Sequence, residues 1–123
     1  MSRHRQAIEI FEDATGDIAL GELDAAIAKY QYCVRLDPEY FDAWHALGMA
    51  LMKADRFPEA IDALIECFDA KFDGKGDWKR AYTPEMFRER IAKSLTRLTG
   101  QNFPADKKQW ETWWQANRAS FKK

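Results

Sequence analysis

Little in this chain is suited to chemistry. It has two cysteines, two histidines, four prolines and six glycines among 123 residues, and no apolar run approaches the roughly 18 residues of a membrane-crossing helix. Two cysteines make no disulfide framework, so a cytoplasmic location is expected. His4 and His45 fit no metal-ligand or triad spacing. Asp73, Gly74, Gly76 and Asp77 lack the full spacing of a calcium loop, and no GxxxxGK[ST] run is present to cradle a phosphate. Alternation long enough for a convincing strand is also missing. The carboxylates of Glu9, Glu12 and Asp13 interrupt any signal-like apolar core at the start of the sequence. No enzymatic activity, cofactor, metal or membrane association is expected.

What is present is an ordinary globular balance, 46% hydrophobic and 32% charged, enough for one domain spanning 1–123. The net charge of −1 hides an asymmetry. Residues 1–70 carry 14 acids against 6 bases, and residues 71–123 carry 6 acids against 13 bases. Opposite halves of this kind attract one another and steer partners of mixed charge, both weakening with salt.

Apolar residues at steps of three and four predict a series of helices. Ile8, Phe11, Ala14, Thr15 and Ile18 share a face over 5–20, although Gly16 costs that helix roughly 1 kcal/mol of propensity. Gly21 permits a tight turn, and Leu23, Ala26, Ile27, Tyr30, Cys33 and Val34 mark a second helix that Asp37-Pro38 stops. A third helix over 40–54 packs through Phe41, Trp44, Leu47, Gly48 and Leu51, with Gly48 admitting a close neighbour. Phe57, Ala60, Ile61, Leu64, Cys67 and Phe68 give a fourth. A loop is expected over 75–83, and Thr83-Pro84 reads as the start of a fifth helix that Gly100 ends. Asp106 can cap a last helix bearing Trp110, Trp113 and Trp114. Carboxylates four apart, such as Asp62 and Glu66, read as the wet face of a helix.

Two of these helix pairs repeat. Cys33 and Cys67, Ala26 and Ala60, and Ile27 and Ile61 each stand 34 residues apart. Both cysteines then read as small buried spacers. The second copy runs Trp44-x-x-Leu47-Gly48-x-x-Leu51, then Phe57, Ala60, Leu64 and Cys67; the first contributes Gly21, Leu23, Ala26, Tyr30, Cys33 and Pro38. Over 7–74 this resembles the tetratricopeptide repeat family, whose period is 34 residues. The resemblance implies an all-α fold: a short right-handed solenoid with repeats at 7–40 and 41–74. The chain departs from the pattern at Asp13, where an apolar residue is expected, and at Phe72, where the proline would recur. Residues 84–123 more loosely resemble the terminal segment that follows HEAT-like helical repeats in bacterial proteins. That likeness implies a bacterial origin and a helical cap, for about six helices in all. A solenoid end needs such a cover because no further repeat hides its apolar face.

The family likeness also implies a partner-binding groove lined by the first helix of each pair. On this chain the groove comprises Phe11, Thr15 and Ile18 with Asp42, His45, Met49, Met52 and Lys53. Its surface reads as acidic and apolar, fitting a peptide with a basic or apolar helix better than a carboxylate clamp. Met49 and Met52 have a competing role in covering the cap. The expected partner is therefore another protein or peptide, or a second copy of the chain. A nucleic-acid alternative rests on Lys71, Lys75, Lys79, Arg80, Arg88, Arg90, Lys93 and Arg97 beside Trp78 and Tyr82. The net charge, which is not basic, weighs against it.

Overall fold

The computed structural model describes residues 3–69 and 84–121. The expected 75–83 loop, the Thr83 cap, and Lys71, Phe72, Lys75, Trp78, Lys79, Arg80 and Tyr82 lie outside the described residues. Those described form six α-helices: α1 (Arg3–Ala19), α2 (Leu23–Leu36), α3 (Phe41–Lys53), α4 (Phe57–Glu66), α5 (Pro84–Thr99) and α6 (Lys107–Asn117). Short turns connect α1 to α2 and α3 to α4, making two antiparallel hairpins that pack through α2 and α3. None of the described helices is long and apolar enough to cross a membrane.

Both hairpins close with the same turn, 34 residues apart. Glu22 N–H donates to Asp17 O at 2.8 Å and Gly21 N–H to Ile18 O at 3.1 Å. In the second hairpin, Arg56 N–H donates to Leu51 O at 2.9 Å and Asp55 N–H to Met52 O at 3.0 Å. These bonds satisfy carbonyls that a helix end otherwise leaves bare. The turn needs a left-handed residue, supplied by Gly21 (φ 80°) and by Asp55 (φ 60°). Aspartate tolerates this region better than most side chains but not without strain.

The repeated positions form matching interiors. Ala26 and Ala60, Ile27 and Ile61, and Cys33 and Cys67 are all buried. Tyr30 in the first hairpin and Leu64 in the second occupy equivalent places opposite Ala14 and Gly48. A Cβ at Gly48 would sit 2.9 Å from Leu64 Cδ2, so the missing side chain is what lets α3 and α4 approach. Cys33 donates to Ala7 O of α1 at 3.3 Å, and Cys67 to Ala63 O at 3.6 Å. Burial pushes the Cys33 thiol up to about 11. It raises Cys67 as well, with Glu66 and Asp42 adding to the shift. Both remain uncharged spacers at neutral pH.

The last two helices cover the second hairpin. Phe87, Ile91, Leu95 and Leu98 of α5 join Phe41, Ile61 and Leu64 in one apolar cluster, which Trp110 and Trp114 of α6 complete. Asp106 caps α6 as expected, its side chain accepting from Lys108 N–H at 3.0 Å. Trp110 is fully buried and donates its indole N–H to Pro104 O at 3.0 Å. Trp114 donates to Asp62 of α4 at 2.6 Å, where the Arg118 guanidinium binds the same carboxylate through contacts of 2.8–3.2 Å. Asp62 is therefore a fastening point between α4 and α6 rather than part of a plain wet face.

Candidate functional site

The residues expected to line one groove divide into two environments. Phe11 of α1 is half-buried with its ring 5.5 Å from those of Tyr30 and Tyr40. Thr15 Oγ1 donates to Phe11 O at 3.0 Å and shares a 3.1 Å hydrogen bond with the Tyr30 hydroxyl. Ile18 packs against the first-hairpin core. This set is drawn toward α2 and the start of α3 because Tyr30 and Tyr40 supply the apolar surface there.

His45 and Met49 instead face α5. The ring of His45 stacks on Phe41 at 5.9 Å, and Phe41 meets Phe87 of α5 edge-on at 5.2 Å. Met49 packs against the second-hairpin core, while Met52 touches both cores. Asp42 is half-buried and Lys53 exposed. Phe87 and Ile91 join His45 and Met49 in lining a cleft of about 620 Å³, with Ser94 and the cations Arg90, Lys93 and Arg97 completing its walls.

That arrangement alters two readings made from the sequence. His45, a solvent-facing position on the helical pattern, is half-buried. Its pKa is lowered from 6.5 first by burial and then by Arg90, with Asp42 opposing. An imidazole near neutrality is consequently uncharged and can exchange hydrogen bonds without adding charge. The groove also borrows three cations from the nucleic-acid set, so its α3 portion is basic and apolar rather than acidic. Arg88 is half-buried on the same helix but does not line this cleft.

Arg90, Lys93 and Arg97 recur at intervals of three and four residues, which places them along one side of α5. That spacing was visible in the sequence. Its relation to His45 and Met49 was not, because α5 does not repeat α1 or α3. Among the described residues, no cluster of three or more His, Cys, Asp or Glu side chains is arranged to hold a metal.

Helix hairpins stacked at a fixed register, with their open end covered by non-repeating helices, define a helical-repeat protein. The family model described as TPR repeat matches residues 17–55, so the chain carries a tetratricopeptide repeat. The match runs from the end of α1 through α2 and α3 to the Asp55 turn. It therefore contains the second helix of the first hairpin and the first helix of the next. Such repeats generally serve protein interaction. No curated protein and no solved structure gives a significant match to the chain.

Proposed function

We propose that this chain is a non-enzymatic protein-interaction module that docks an acidic peptide segment in the cleft between α3 and α5. The observation carrying this reading is the apolar surface of Met49, Phe87 and Ile91 set beside Arg90, Lys93 and Arg97. Met49 can adapt to an apolar side chain, while the cations attract carboxylates and fix their positions. The neutral state favoured for His45 by burial and Arg90 suits either a donor or an acceptor there. Phe11, Thr15 and Ile18 extend the interaction surface along α1, and Asp42, Met52 and Lys53 extend it on α3. A cytoplasmic setting is consistent with the two buried free thiols.

Nucleic acid is the second reading, favoured by the same three cations. The two separate by what they need beyond charge. An acidic peptide with leucines uses the apolar floor, whereas an oligonucleotide bound through its phosphates depends chiefly on salt. Fluorescence anisotropy with a labelled Glu/Leu peptide and a single-stranded oligonucleotide of equal charge tests this at about 50 and 200 mM salt. The peptide is expected to bind more tightly and to lose about tenfold in affinity with Met49→Asp, using about 1.4 kcal/mol per tenfold as the scale. Tighter oligonucleotide binding, or peptide binding indifferent to Met49→Asp, overturns the proposal. Thermal unfolding of the variant checks that its fold is retained.

A further inference from the structure

A second cleft, of about 520 Å³, lies where α4 and α6 meet beside Trp44 of α3. It shares no lining residue with the α3–α5 cleft. Trp44 and Trp114 provide aromatic walls with Ile65 between them in the lining. Both indole N–H groups are already engaged: Trp44 donates to Pro38 O at 2.8 Å and Trp114 to Asp62 at 2.6 Å. These bonds fix the rings while leaving their π systems as the chemistry offered to a ligand. Trp44 is half-buried and supplies the accessible aromatic surface.

The surrounding charges are unequal. Asp62 is occupied by Arg118, at 2.8 Å from its terminal nitrogen. Lys107 sits closest to Asp69, at 2.6 Å, and reaches Glu66 and Glu111 only at 3.5 and 4.0 Å. Four carboxylates thus meet two cations, an excess of two negative charges at the rim. Glu66 and Glu111, both lining the cleft, retain side-chain exposures of 42% and 46%. An incoming cation can therefore reach their oxygens without dismantling the Asp62–Arg118 fastening.

We propose that this α4–α6 cleft binds an arginine side chain presented by another protein. A guanidinium matches both components of the site: its flat face can stack on Trp44 while its N–H groups fork toward Glu66 or Glu111. Lysine has the charge but lacks the planar fork. A purely apolar side chain uses the indole wall but leaves the acidic rim without a charge partner. The site would give the module a second point of recognition, opposite in polarity to the α3–α5 cleft. It stands independently of whether that first cleft binds an acidic peptide.

The intact chain can be titrated with acetyl-Gly-Arg-Gly-amide and its citrulline counterpart, with the indole N–H signals of Trp44 and Trp114 followed by NMR. Citrulline keeps the length and planarity of arginine but removes its charge. The arginine peptide is expected to shift both indole signals and to bind at least about fivefold more tightly than the citrulline peptide. Glu66→Gln/Glu111→Gln should reduce arginine binding by a similar factor, with its melting curve verifying the fold. Trp44→Leu tests the aromatic wall while retaining apolar volume and should also weaken binding. Equal binding of the two peptides, no movement of either indole, or unchanged binding by the carboxamide variant overturns the assignment. Indole shifts that follow protein concentration without peptide would instead assign the cleft to a second copy and overturn it as well.

Discussion

The two hairpins share a turn and an interior, yet differ in what lies against their first helices. In α1 only Ala7 and Ala14 are buried, whereas α3 buries Phe41, Ala43, Leu47, Gly48, Ala50 and Leu51. Asp13 and Leu47 are equivalent in the repeat and show the contrast directly. Asp13 is exposed and pairs with Lys29 of α2 at 2.8 Å, while Leu47 is buried. A helix at the margin of the stack can carry a carboxylate at that position; one packed on both sides needs an apolar residue. Repeat identity therefore sets the hairpin, and neighbouring elements decide how much of its surface remains for binding.

The comparison is broken most severely by removing the cover over the second hairpin. Trp110→Ala should cost about 3–5 kcal/mol through lost apolar contact and the cavity left behind. The first hairpin should retain more structure than α4–α6 as denaturant rises, because Trp110 belongs to the second-hairpin cluster. Urea unfolding checks the stability change, and residue-resolved hydrogen exchange checks its distribution. A loss below about 1 kcal/mol, or equal loss of protection across both hairpins, would show that α6 is not the required cover.

Two glycines sharpen the contrast on a smaller scale. Gly48 is pressed against Leu64, but nothing lies within 4 Å of a Cβ placed at Gly16. Gly48→Val should therefore destabilise by about 1–3 kcal/mol through overpacking. Gly16→Ala should stabilise by roughly 0.5–1 kcal/mol, since alanine restricts the unfolded chain and favours the helix interior. Denaturant midpoints measure both changes. Similar penalties at the two sites would contradict the different packing described for them.

Much of this architecture is readable from local pattern. The recurring Ala26/Ala60, Ile27/Ile61 and Cys33/Cys67 positions reveal the paired hairpins, and the solved geometry buries every one of them. Gly48 similarly marks a close approach, and Asp106 marks the start of α6. Local periodicity does not encode which face of α5 meets α3. The cleft joining His45 to Arg97, and the Asp62–Arg118 contact across 56 residues, depend on that longer-range packing. Hence the hairpins were legible while the polarity of the candidate site was not.

The smallest expected effect concerns that polarity. His45 has its pKa depressed by burial and, secondarily, by Arg90. Its neutral form therefore contributes stability above the ordinary pKa of 6.5, which is lost as pH falls toward and through the folded value. Arg90→Gln should move the His45 titration upward by removing the cation, with burial still holding it below the ordinary value. The associated stability loss should then occupy a narrower pH interval below 6.5. NMR titration of the imidazole protons gives the site-specific shift, and pH-dependent unfolding gives its energetic consequence. A His45 titration unchanged by Arg90→Gln would separate α5 electrostatically from α3, leaving burial alone to distinguish this histidine from an exposed one.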